Sequence, residues 1–272
     1  MWNDGKSGNT PYDFIPAHSK FFMAVNSDLS HGFAISHSFP KYPEVRENGS
    51  ISVHIHADQK RNGQHAFCFT LDSKTKIEQI MSNANYIQPN LDLNTITQLS
   101  GSSEVNESDF KDASMTIGQE KLRIFWQNGW SRSKRKDIFK EIAVSLNAKI
   151  WTHTWATAKN PPFPSECGFK SSRTGKILNI DNIGDLAYGG KDISLGAQPG
   201  WTERNDHSKW IVSNDENYAC LGDLNRNSVE QEVRGGAFYC LKSPRLAKMF
   251  KQIIYSTVWG TCYWDQQENT AT

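Results

Sequence analysis

Apolar residues recur along this chain mostly in short alternating runs, with only three stretches at helical spacing, so strands dominate the expected architecture. Ser19 to Asn26 and His31 to Phe39 predict two strands joined by a turn at Ser27–Ser30. From Ile51 to His56 the alternation is strict, with Ile51, Val53 and Ile55 on one face and Ser52, His54 and His56 on the other. Gln64 to Leu71, Lys121 to Trp126, Lys149 to Trp155, Lys209 to Val212, Tyr218 to Leu224 and Ala237 to Leu241 read as further strands. Helices are expected over Lys74 to Ser82, through Ile77, Ile80 and Met81, and over Asp137 to Leu146, through Ile138, Phe139 and Ile142. A third begins at Ser243-Pro244, a cap followed by proline in the first turn, and carries Leu246, Met249, Phe250, Ile253 and Ile254 as a core stripe. Residues 1–17 read as an exposed loop, the polar residues 86–112 as a surface excursion, and the Pro- and Gly-rich residues 159–206 as a long irregular segment of the kind that carries function. Strands and helices mix in both halves, which predicts an α+β (α/β-like) enzyme of two lobes.

Composition narrows the class. An apolar content of 37% and a charged content of 22% in 272 residues fit a folded globular protein with a substantial core. No apolar run approaches the roughly 20 residues a membrane helix needs, so no membrane partner is expected. The chain opens Met1-Trp2-Asn3-Asp4, without the basic and then apolar leader of a signal peptide. Against this stand five cysteines and two glycosylation acceptors, Asn48-Gly49-Ser50 and Asn106-Glu107-Ser108, which matter only in a secretory compartment. Net charge is +1, no strong footprint for nucleic acid, but protonating all eight histidines would add eight positive charges. Phosphate binding is largely electrostatic, so an acidic compartment would turn this surface attractive to DNA.

The densest chemistry lies in Asp206-His207-Ser208-Lys209-Trp210, Gly222-Asp223-Leu224-Asn225-Arg226-Asn227 and Arg234-Gly235-Gly236. In a strand His207 and Lys209 project to one face. An ammonium beside an imidazole suits attack on a phosphodiester, the lysine compensating anionic oxygen and the histidine acting as nucleophile or acid. Asn225, Arg226 and Asn227 supply further donors for phosphate oxygens. A single His-x-Lys means little, but His18-Ser19-Lys20 repeats it at the entry to another apolar run. The next polar hinges, His37 and Asn225, follow the two histidines at nineteen and eighteen residues, so the halves look like copies of one unit, each contributing half a site. The predicted turn brings His37 to the His18 end of its hairpin, where it either supports the site or simply ends a strand. His54 and His56 offer two metal ligands without a third cluster, so a solvated face is favoured and neither metal nor cofactor is expected. His65 is given no role and His153 a structural one. The basic run Arg132, Lys134, Arg135, Lys136 and Lys140, near Trp126 and Trp130, reads as a solvated helix face, with a DNA-backbone contact as the alternative.

These segments, together with Trp2-Asn3-Asp4, Ala17-His18-Ser19-Lys20 and Ile35 to Pro43, resemble the deoxyribonuclease II family, acid nucleases built on the phospholipase D fold. The resemblance covers nearly the whole chain and is weakest between about residues 85 and 160. It implies a phospholipase D-type fold of two pseudo-symmetric lobes, each a mixed sheet flanked by helices. Residues 1–112 would be the remainder of the N-terminal lobe and 113–272 the C-terminal lobe, together one structural unit. It implies disulfides Cys220–Cys240 and Cys167–Cys262, and leaves Cys68 without the N-terminal partner the family provides. A truncated chain is therefore expected, lacking its signal and the first strands of lobe one.

The resemblance further implies a metal-free endodeoxyribonuclease, with DNA as substrate, that works through a phosphohistidine and leaves 3′-phosphate and 5′-hydroxyl ends. His18 would be the nucleophile and His207 the acid, with the reverse left open. Lys20 and Lys209 would neutralise phosphate oxygens, Asn225 would hold one, and Asp206 or Glu232 would orient a histidine ring. A lysosomal or secreted location follows, and a homodimer is left open. The rivals are a catalytically impaired secreted relative that binds DNA or a host protein, a lipid phosphodiesterase on the same fold, and a metal nuclease using His54 and His56.

Overall fold

The computed structural model describes residues 17–40, 44–45, 51–52, 55, 57, 60, 62–87, 109–129, 137–155, 161–183, 185–188, 191–192, 201–202, 206–254, 257–258 and 262. The first half contains β1 (Phe21–Val25), β2 (Gly32–His37), β3 (Glu44–Val45), β4 (Ile51–Ser52), β5 (Ala66–Leu71), α1 (Lys74–Ala84) and a 3-10 turn at Asn85–Ile87. Then come β6 (Phe110–Ile117), β7 (Glu120–Gln127), α2 (Ile138–Leu146), β8 (Ile150–His153), β9 (Glu166–Lys170), β10 (Ile177–Ile183), β11 (Asp185–Tyr188), β12 (Lys191–Asp192) and β13 (Trp201–Thr202). The chain continues through β14 (Trp210–Ser213), β15 (Tyr218–Gly222), α3 (Ser228–Val233), β16 (Gly236–Lys242), α4 (Pro244–Gln252) and β17 (Thr257–Val258). This is the mixed α+β composition the sequence pattern predicts.

Two sheets matter for the site. β1, β2 and β5 form an antiparallel sheet in that order. Among the described residues the larger sheet runs β17-β10-β8-β14-β15-β16-β7-β6, with β9 beside β10. Inside it, β14, β15 and β16 are also consecutive and antiparallel. Both triplets are followed by a helix, α1 in the first case and α4 in the second.

The core forms where the strand faces and helix stripes meet. One cluster joins Phe21, Phe69, Ile77 and Ile80 of the first half to Ile124 and Tyr239 of the larger sheet. A second lies under α2, whose Ile138, Phe139 and Ile142 pack on Phe125, Leu178 and Phe238. Each such side chain stabilises the fold by about 1.5–3 kcal/mol relative to exposure. Asp137 caps α2 by accepting the Phe139 N–H, and Asn147 ends it in the left-handed region at φ 54°. The third cluster sets Ala247 of α4 against Trp210 and Val212.

Several expectations are corrected. Tyr86 and Ile87 are core residues and Phe110 to Asp112 lie in β6, so both ends of the expected polar excursion belong to the fold, and residues 88–108 lie outside the described residues. Met249 is 55% exposed, and Ala247 is the buried residue of α4. The irregular segment contains β10, which pairs with β8 in parallel. Its buried polar residues hide the strand pattern, yet each has a partner. Asn179 accepts the Gly168 N–H (2.9 Å), Asp181 the Cys262 N–H (2.8 Å), and Asn182 donates to the Phe163 oxygen (2.6 Å). Cys220 is bonded to Cys240 across β15 and β16, and Cys167 to Cys262. Cys68 is exposed on β5. Asn48, Asn106, His54, His56, Trp130 and the basic run from Arg132 to Lys136 lie outside the described residues.

Candidate active site

The two His-x-Lys motifs sit just before β1 and β14, and matching main-chain bonds hold them. The N–H of His18 donates to the Gly235 oxygen, and the N–H of His207 donates to the Gly63 oxygen, each at 2.8 Å. Each motif is thus pinned to a glycine from the opposite half of the chain. Beyond the histidines the correspondence continues. The Lys20 oxygen accepts the His37 N–H (3.2 Å) and the Lys209 oxygen the Gly222 N–H (2.9 Å). Ser38 N–H donates to the His65 oxygen and Asp223 N–H to the Ala237 oxygen, both at 3.0 Å.

The lysines repeat the theme. Nζ of Lys20 donates to the His18 oxygen (3.1 Å) and Nζ of Lys209 to the His207 oxygen (2.7 Å). Both lysines are buried, at 2% and 3% exposure. An ammonium has three donors, and each of these bonds uses one.

His18 is held with its ring defined. Its Nδ1 lies 2.7 Å from the main-chain oxygen of Asp223, and because a carbonyl only accepts, Nδ1 carries the proton. The lone pair of the neutral ring therefore resides on Nε2. Glu230 of α3 adds a carboxylate, Oε2, 3.3 Å from the same Nδ1. Asn225 locks that carboxylate through its main-chain N–H (2.6 Å) and its side-chain amide (2.7 Å). Burial alone would raise the Glu230 carboxyl, but His18, Lys209, the Asn225 N–H and Arg234 bring it below its ordinary value. Asp223 behaves oppositely: burial raises it to about 6 despite bonds from Ser19 Oγ (2.6 Å) and the Ala237 N–H (3.0 Å).

The second motif has different neighbours. The Trp155 ring lies 5.0 Å from that of His207. Asp206 accepts the Ser208 N–H at 2.8 Å and faces Nε2 of His153 at 3.1 Å. Burial raises the Asp206 carboxyl, and the bonds from His153 and Ser208 bring it below its usual value. His153 is fully buried and stacks on Trp210. Asp206 thus fixes the turn of the motif and a structural histidine.

The remaining expected residues are sorted by burial and partners. Glu232 is exposed on α3, and the carboxylate beside His18 belongs to Glu230. Asn225 stands behind Glu230. Arg226 is 2% exposed; Nε and Nη2 donate to Asp137 Oδ2, and Nη1 donates to the Phe163, Pro164 and Asn182 oxygens, so its guanidinium is structural. Asn227 caps α3. His37 is buried at the end of β2, beside the first motif. Glu230 and His65 escaped the sequence reading, because α3 is too short for a periodic signal and a lone histidine carries none.

These features define a mixed α+β protein whose two His-x-Lys motifs are each tied by a main-chain bond to the opposite half of the chain. The family follows from sequence comparison: the sequence model described as Deoxyribonuclease II matches residues 1–258, and the chain belongs to the deoxyribonuclease II family. It is 27% identical over 244 residues to the putative deoxyribonuclease-2 of Burkholderia thailandensis, a match covering 85% of this chain and 63% of that one. It is 26% identical to mouse deoxyribonuclease-2-beta (93% of this chain, 69% of the relative), and 32% identical over 130 residues to pig deoxyribonuclease-2-alpha (48% and 30%). The chain therefore spans 63% of the length of the Burkholderia thailandensis relative.

Proposed function

We propose that this chain is an acid endodeoxyribonuclease that cleaves DNA phosphodiesters without a metal, leaving 3′-phosphate and 5′-hydroxyl ends. The observations that carry the proposal are the reciprocal pinning of the two motifs, His18 N–H to Gly235 and His207 N–H to Gly63, and the Glu230 carboxyl, which feels the charges of both His18 and Lys209. Two ammoniums and two imidazoles supply the positive charge and the proton transfers that a phosphodiester needs. The names of the relatives support DNA as the substrate.

In the first step Nε2 of His18 attacks phosphorus and the bond to the 5′-oxygen breaks. His207, as imidazolium, gives its proton to that oxygen. In the second step neutral His207 takes a proton from water, the water oxygen bonds to phosphorus, and the phosphorus–nitrogen bond breaks to release the 3′-phosphate. Lys20 and Lys209 compensate the non-bridging oxygens. The Nδ1–H bond to Asp223 supports His18 as nucleophile, since it directs the lone pair to Nε2, and ionised Glu230 stabilises the positive ring of the intermediate.

The repeated order of three antiparallel strands and a helix supports a phospholipase D-type arrangement of two pseudo-symmetric lobes, divided before β6 rather than inside it. Two disulfides support an oxidising destination, lysosomal or secreted. Alkaline quench of a turning-over sample, followed by peptide mass spectrometry, tests the assignment. A phosphodeoxyribonucleotide on the peptide containing His18 is expected. An adduct on the His207 peptide would reverse the two roles.

A further inference from the structure

His65 is a buried imidazole that the chemistry above does not use. It lies at the foot of β5, in the first half of the chain, yet its Nδ1 accepts the main-chain N–H of Lys209 at 3.3 Å, 144 residues away. Its own N–H is anchored by Ser38 Oγ at 2.9 Å and its carbonyl accepts the Ser38 N–H at 3.0 Å, so the ring is carried on a fixed strand end. The first motif has a counterpart: the Lys20 N–H faces Asp223 Oδ1, a side chain from the second half, at 3.5 Å. Each lysine main chain is thus approached by a side-chain acceptor from the opposite half, a carboxylate in one case and an imidazole in the other.

We propose that His65 is a positioning residue of the second His-x-Lys motif, its Nδ1 fixing the main chain at Lys209 and through it the projection of His207 and Lys209 into the site. An imidazole serves this purpose only while neutral, because protonation turns Nδ1 from acceptor to donor and sets it against the Lys209 N–H. Its surroundings keep it neutral. Burial first, then Lys209, His37 and Lys20, outweigh the opposing effect of Asp206 and push the ring down to about 3. The bond therefore survives at the acid pH where the family reading places the reaction, and Nε2 carries the single ring proton.

The inference rests on the nuclease reading for its kinetic test, so the test has a second arm independent of activity. In His65→Asn the amide oxygen stands close to where Nδ1 was and keeps the acceptor; His65→Leu fills the space without one. The Leu variant is expected to lose about 10- to 100-fold in kcat with KM within about twofold, as misplacement of a catalytic group predicts. The Asn variant is expected to stay within about threefold of wild type with an unchanged pH–rate profile. Hydrogen exchange at the Lys209 amide should accelerate in the Leu variant and not in the Asn variant. Wild-type kcat and Lys209 exchange in the Leu variant would overturn the proposal. So would an Asn variant as inactive as the Leu variant but with protected Lys209, since His65 would then act on the substrate itself. If the wild-type chain cleaves no DNA the nuclease reading fails, and Lys209 exchange alone still decides the role of His65.

Discussion

The Nδ1–H of His18 donates to the main-chain oxygen of Asp223 at 2.7 Å, across 205 residues, while the carboxylate of the same aspartate takes the Ser19 hydroxyl at 2.6 Å. One residue of the second half therefore sets both the ring tautomer and the main-chain course of the first motif. Its carboxyl is buried and titrates in the acid range, which couples the motif to pH.

The sign of that coupling is fixed. The Asp223 carboxyl is raised to about 6 from 3.8, so between those values the native state binds more proton than the unfolded chain. Stability from this group is present below about pH 4 and lost as pH rises through about 6. Asp223→Asn keeps acceptors for Ser19 and Ala237 but does not titrate. Relative to wild type it should gain on the order of 1–3 kcal/mol between pH 4 and pH 7. Denaturant melts at the two pH values measure this, and a pH-independent difference would contradict it.

His65 should respond with the opposite sign. Its folded value of about 3 lies below the ordinary 6.5, so its stabilising effect is complete above that value and declines as pH falls toward 3. His65→Asn should gain on wild type in passing from pH 7 to pH 4, in the same denaturant melts. Matching signs in the two variants would mean that one of the two environments is misassigned.

Glu230 is expected to matter for rate. Glu230→Gln removes the charge 3.3 Å from His18 Nδ1 and should lower kcat about tenfold or more, the equivalent of roughly one pKa unit of ring stabilisation. Glu232→Gln, on the exposed side of the same helix, is the comparison in steady-state kinetics. Equal losses would return the ring-orienting role to Glu232.

Gly235 is required by close approach. A Cβ there would lie 2.1 Å from the Ile87 oxygen, and the Gly235 oxygen is the one that pins His18. Gly235→Ala should destabilise the fold by about 1–3 kcal/mol and lower activity in the fraction that folds. Thermal melts and single-turnover cleavage check both. A variant with full stability and rate would show that neither the close approach nor the bond to His18 depends on glycine at 235.

Arg226 should prove structural. Arg226→Met strips the partner from Asp137 and should cost about 3–5 kcal/mol, as expected for a buried charge left alone. The salt dependence of DNA binding should keep its slope, because no phosphate contact is lost. A shallower slope would restore Arg226 as a phosphate ligand.

How far the sequence carried this picture depends on the kind of signal. Alternating runs placed β1, β2, β5 and β7, and the duplicated His-x-Lys identified the histidines that the opposite half pins. β10 was hidden because Asn179, Asp181 and Asn182 are buried polar residues, each bonded to main chain inside the protein, which periodicity cannot reveal. In the sequence Asn225 and Arg226 are both donors; only the fold shows that the Arg226 guanidinium turns to Asp137 and that the Asn225 amide gives a hydrogen bond to Glu230. Glu230 and Glu232 differ by two positions on one short helix, too little for the sequence to say which turns inward.

Whether one histidine from each half cleaves DNA without a metal, as proposed, is decided by plasmid cleavage at pH 5 in EDTA, with His18→Ala and His207→Ala beside wild type and folding of each sample verified by circular dichroism. Wild type is expected to cleave and neither variant to do so. A folded wild type that leaves the plasmid intact, or variants that cleave as wild type does, would rule the two-histidine reaction out.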